Sequence, residues 1–88
     1  MKNIFITGGN RGIGKGLVEQ FSKNHNVIFT ARDNNQAQMI VDSFENDNAD
    51  YVIMDVGENE SVQNGVKNLK SKISSVDILI NNAGILIP

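Results

Sequence analysis

Apolar residues alternate between two periods along this chain. Asn3-Ile4-Phe5-Ile6-Thr7 is a short run rich in β-branched and aromatic side chains, the composition of a buried strand. Ile13, Leu17, Val18 and Phe21 then fall at helical spacing, which predicts a helix with one buried face. The pair of patterns repeats. Asn26–Ala31 reads as a second strand, and Ala37, Ile40, Val41 and Phe44 mark a second helix. Asn46–Asp50 reads as a polar loop and Tyr51–Val56 as a third strand. Val62, Val66, Leu69 and Ile73 make the stripe of a third helix, with Ser61 near its start and Gly65 as a mild weakness inside it. Val76–Ile80 is a fourth strand, followed by Asn81-Asn82-Ala83-Gly84 and a hydrophobic tail.

The order is therefore βαβαβαβ. Apolar strands alternating with amphipathic helices imply a parallel sheet covered on both faces, a three-layer α/β/α arrangement. Right-handed crossovers and double winding predict the strand order 3-2-1-4. In that order the C-terminal ends of strands 1 and 4 flank the switch point where ligands bind, so the loops at Gly8–Gly14 and Asn81–Gly84 meet across one crevice.

Length and composition narrow the field. The 88 residues make one small domain, 1–88, with no visible linker or repeat. An apolar fraction of 40% and a charged fraction of 20% are those of a globular protein rather than a disordered segment. No run of apolar residues is long enough to span a membrane. Gly8 and Gly9 interrupt the early apolar stretch, so no signal core is expected. With no cysteine there is no disulfide framework and no thiolate metal site, and a cytoplasmic location is the expectation. Residues 1–32 carry a local balance of +4, whereas residues 33–60 carry eight acids and no Lys or Arg. Positive charge beside a glycine loop suits a small anionic ligand. A broad basic face for nucleic acid is missing.

The candidate chemistry lies in Thr7-Gly8-Gly9-Asn10-Arg11-Gly12-Ile13-Gly14, a glycine-rich turn from strand to helix. Glycines let the backbone turn sharply and let a phosphate approach, and the first amides of the helix then face the anion. Two readings compete. The glycines do not match the common dinucleotide fingerprint, G-x-G-x-x-G, but Gly9, Gly14 and Lys15 spell the beginning of a triphosphate-binding P-loop. Position 16 is glycine, so the hydroxyl that would hold Mg²⁺ is missing from that motif.

Thr7-Gly8-x-x-x-Gly12-Ile13-Gly14, Asp55-Val56 after the third strand and Asn81-Asn82-Ala83-Gly84 after the fourth together resemble the short-chain dehydrogenase/reductase family. They stand in the family's order across the whole chain. The resemblance implies a partial Rossmann-like domain and an oxidoreductase that transfers hydride between a nicotinamide and a carbonyl or alcohol. It implies that Gly8, Gly12 and Gly14 shape the cofactor turn, with Asn10 and Arg11 in the loop and the backbone around Ile13 on the pyrophosphate. It implies that Asp55 accepts from the adenine amino group and that the Val56 backbone reads the ring. Asn81, Ala83 and Gly84 would line the ribose side. Read from the residues alone, Asp55 could equally cap a turn and Asn81-Asn82 could simply turn the chain.

An acid about 20 residues beyond such a loop would select NAD(H) by its ribose hydroxyl. Here Arg32 stands at or beside that place, and Arg11 can approach the same phosphate. The expectation is NADP(H) preferred with NAD(H) possible, since Asp33 could serve as the acid. The family's catalytic Tyr, four residues before a Lys, has no counterpart. The single tyrosine, Tyr51, is followed four residues later by Asp55 and is expected to pack. Ser43, Ser61, Ser71, Ser74 and Ser75 fall away from the crevice. No catalytic residue is named, so the chain alone is expected to be inactive. The exposed edge of strand 4 predicts self-association, or pairing with a missing C-terminal half. A P-loop-like nucleotide-binding protein and a non-enzymatic nucleotide-binding or interaction module are the alternatives.

Overall fold

Ile4 and Ile6 are fully buried on one face of a strand while Phe5 is buried on the other, which requires that strand to lie between two covering layers. The computed structural model, which describes residues 1–8, 12–55 and 57–82, places it there. The elements in chain order are β1 (Asn3–Thr7), α1 (Gly12–Ser22), β2 (Asn26–Ala31), α2 (Asn34–Asp42), β3 (Ala49–Ile53), α3 (Asn59–Lys72) and β4 (Ile78–Asn81). The four strands form one parallel sheet in the order β3-β2-β1-β4, as the pattern predicts.

The alternation of side chains along the strands divides the core in two. Ile4, Ile6, Val27, Phe29 and Ala49 meet Val18 of α1 and Ala37 and Ile40 of α2 on one face. Phe5, Ile28 and Val52 meet Leu69 of α3 on the other, with Met54 beside them. Burying one such aliphatic side chain contributes about 1.5–3 kcal/mol, so the apolar strand runs are what hold the layers together.

Several boundaries differ from the pattern. β3 begins at Ala49, inside the expected polar loop, because Ala49 is buried and pairs with Val27. The turn before it closes on Asn46, whose Oδ1 accepts the Asn48 N–H at 2.9 Å. β3 ends at Ile53 rather than Val56, since the Asp55 N–H turns away to donate to Ser61 Oγ at 2.8 Å. β4 starts at Ile78 rather than Val76, and the Asp77 carboxylate there accepts the Asn3 N–H at 2.8 Å. α2 ends at Asp42, before Phe44, although Phe44 still packs on the core.

Gly65 has a role that differs from the one the pattern suggests, while Tyr51 packs as expected. Gly65 is a close approach and no weakness: a Cβ there would lie 2.5 Å from Met54 Cε and 3.2 Å from the Ile53 carbonyl oxygen. The buried stripe of α3 accordingly runs through Gly65 and Leu69, with Val66 turned towards solvent. Tyr51 lies within β3, its ring 6.1 Å from Phe29 and its hydroxyl bonded to Asn34 Oδ1 at 2.7 Å. His25 serves at the turn after α1, accepting the Lys2 N–H on Nδ1 at 3.2 Å.

Candidate functional site

Parallel strands all point the same way, so the loops after β1, β2, β3 and β4 emerge at one end of the sheet. β1 and β4 lie side by side there, with Thr7 registered against Asn81. Three polar contacts lock the two loops together. Thr7 Oγ1 donates to Asn81 Oδ1 at 2.9 Å and accepts the Asn82 N–H at 3.0 Å. Asn82 Nδ2 donates to the Gly8 carbonyl at 3.0 Å. On the other side, the Gly8 N–H donates to Thr30 Oγ1 of β2 at 2.7 Å.

This geometry explains the glycines separately. Gly8 has φ +72° and Gly12 has φ +59°, in the left-handed region that residues with a Cβ rarely adopt. Gly14 is needed for space: a Cβ there would run into the Gly8 carbonyl oxygen and would sit 2.5 Å from Asn82 Nδ2. The start of α1 is thereby drawn against the ends of β1 and β4.

A helix start leaves its first amides without intrahelical partners and carries a partial positive charge. The first turn of α1 contains no acid, and Lys15 is exposed beside it. Gly12 is exposed, with open space where a Cβ would project. Together these features give α1 an open start with no acid in its first turn and a cation beside it. Arg32 is exposed just past β2 and makes no hydrogen bond or ion pair among the described residues. Asp33 is engaged as the N-cap of α2, where Oδ1 accepts from the Asn35 N–H at 2.9 Å and the Gln36 N–H at 3.2 Å.

Asp55 sits beyond β3 at the same end of the sheet, half-buried, with Oδ1 accepting the Gly57 N–H at 3.0 Å. That is the turn-capping geometry, and it leaves Oδ2 without a described partner. Ile13 lies in the first turn of α1. Asn10, Arg11, Val56, Ala83 and Gly84 lie outside the described residues. Thr30 and Asn82 are structural members of the site beyond the candidate residues drawn from the sequence. Thr30 lies near the end of β2, is 2% exposed, and has its buried hydroxyl satisfied by the Gly8 amide.

The model of the short chain dehydrogenase family matches residues 2–88. The chain is 38% identical over 81 residues to oxidoreductase BOA17 of Botryotinia fuckeliana, covering 91% of this chain and 30% of that protein. It is 33% identical over 87 residues to the 3-oxoacyl-[acyl-carrier-protein] reductase FabG of Chlamydia pneumoniae, covering 96% of this chain and 35% of the relative. Among solved structures, the 3-ketoacyl-(acyl-carrier-protein) reductase of Brucella melitensis complexed with NADH aligns with a TM-score of 0.84 and 35% identity, over 96% of this chain and 34% of that one. The chain spans about a third of the length of the relatives it matches.

Proposed function

The chain belongs to the short-chain dehydrogenase family, and from that premise we propose that it is the NADP(H)-binding portion of an oxidoreductase that moves hydride between nicotinamide and a carbonyl or alcohol. The observation that carries the reading is the interlock of Gly8, Gly14 and Asn82, which fixes an acid-free helix start at the shared end of β1 and β4. In this reading the amides from Gly12 to Gly14 hold the pyrophosphate, Asp55 Oδ2 accepts from the adenine amino group, and Asn81 with Ala83 and Gly84 lines the ribose side. Val56 reads the adenine ring through its backbone, and Asn10 and Arg11 complete the loop. The cofactor supplies the hydride, and this chain's residues supply binding and orientation.

NADP(H) is preferred over NAD(H) because the two groups at the end of β2 differ in availability. Arg32 has no partner among the described residues and presents a planar set of donors suited to a 2′-phosphate, whereas Asp33 already holds the first amides of α2. A neighbouring reductase of the same fold was solved complexed with NADH, so the preference for NADP(H) rests on these side chains and not on the fold. Residues 1–88 contain no Tyr followed four positions later by Lys, and in this reading they bind cofactor without turning over substrate. A cytoplasmic location accords with the absence of cysteine. The outer edge of β4 takes a further strand, from a second copy or from a C-terminal half.

Calorimetric titration with NADPH, NADH and MgATP tests the assignment. NADPH is expected to bind most tightly, and binding of MgATP alone would sink it. Arg32→Ala is expected to weaken NADPH by about tenfold or more while sparing NADH, because a hydrogen bond to a charged group contributes about 1.5–3 kcal/mol. Equal losses for both cofactors would overturn the preference.

A further inference from the structure

β3 is the boundary strand on the side away from β4, and half of its backbone groups face outward. Two bonds set the phase of its pairing with β2: the Val27 N–H donates to the Asn48 carbonyl at 2.8 Å, and the Met54 N–H donates to the Ala31 carbonyl at 2.9 Å. With the alternation of a parallel pair, Asp50 and Val52 turn their amides towards β2, and Ala49, Tyr51 and Ile53 turn theirs away. An outward row of this kind is a template for another chain.

The row is interrupted at its centre. The Tyr51 N–H donates to Asp50 Oδ1 at 2.8 Å, and Lys72 Nζ holds Asp50 Oδ2 at 2.8 Å. Lys72 is the last residue of α3, so the ammonium reaches the edge from one face of the sheet. The Tyr51 ring leaves on the opposite face, where its hydroxyl reaches Asn34 of α2. At the end of the strand the Ile53 carbonyl lies close under Gly65 of α3. A polar groove of about 470 Å³ runs along this edge, with Asn68 and Ser71 on its α3 side.

We propose that Asp50 guards this edge: its carboxylate, tied to Lys72, occupies the outward amide of Tyr51 and denies β3 to the strand of a second copy of this chain. A pairing strand would have to displace the carboxylate from both partners and bring its own carbonyls against that negative charge, and burying an unpaired carboxylate is unfavourable. With the acid gone, the amide of Tyr51 joins those of Ala49 and Ile53 as an open row beside Val52 and Ile53, both strong strand formers.

The chain has no cysteine, so Ser71→Cys carries a single spin label beside the edge. Adding Asp50→Val is expected to tighten association through β3 by about tenfold or more, with short distances between labels that the Ser71→Cys parent lacks. A folded Asp50→Val protein whose labels stay as far apart as the parent's overturns the proposal. Hydrogen exchange on the unsubstituted chain decides the matter even if that variant does not fold. The Tyr51 amide should exchange more slowly than those of Ala49 and Ile53, and equal rates for all three would rule the guard out.

Discussion

Along β3 the central outward amide ends on a carboxylate, whereas along β4 Leu79 stands 63% exposed and Ile78 39% exposed. Both strands bound the same sheet, and each pairs with a single neighbour among the described residues. Both are short, but β3 carries Asp50 where β4 opens on three aliphatic residues. The rest of the difference lies in what surrounds them. β3 is flanked by helices on both faces, and α2 and α3 bring Asn34, Gln38 and Lys72 to its rim. Ile80 of β4 turns to the face that α1 covers, while Leu79 on the opposite face is left to solvent. The β3 edge is closed jointly by a carboxylate of the strand and by the polar helix residues that reach it, whereas the β4 edge has neither among the described residues.

Three substitutions sharpen that contrast. Gly65→Val should do most, because its side chain meets Met54 and the Ile53 carbonyl on the covered side of β3. Overpacking of that kind removes about 1–3 kcal/mol, which outweighs the gain of less than about 1 kcal/mol from replacing a helical glycine. Chemical denaturation would read the loss, and unchanged stability would mean that α3 does not press on β3 as described. Leu79→Lys should leave stability within about 0.5 kcal/mol but weaken self-association by about tenfold, as followed by light scattering. If association is unaltered, β4 is not the contact. Tyr51→Phe should be mildest, a loss of about 1 kcal/mol from the bonds to Asn34 and Gln38, read as a small fall in the denaturation midpoint.

The strand order and the alternation of elements were legible because they rest on apolar periodicity, and periodicity survives in a single sequence. The ends of β3 and β4 were not. Ala49 is a weak strand former set among polar residues, and only its partner Val27, far away in the chain, draws it into the sheet. Gly65 carried the wrong sign for a similar reason: helix propensity is local, whereas the room it leaves for Met54 is tertiary. At the site, the glycines and Asp55 announce themselves by type and spacing. The contacts of Thr30 and Asn82 depend on three strands meeting, and no local pattern encodes that.

The bond from Asn82 to the Gly8 carbonyl joins residues 74 apart in the chain. During synthesis the glycine turn after β1 is made some seconds before its brace on β4. Until β4 arrives, β1 has a vacant flank and the turn has nothing to hold its carbonyl. The turn is therefore held only at the step that inserts β4 beside β1, well after its own residues have been made.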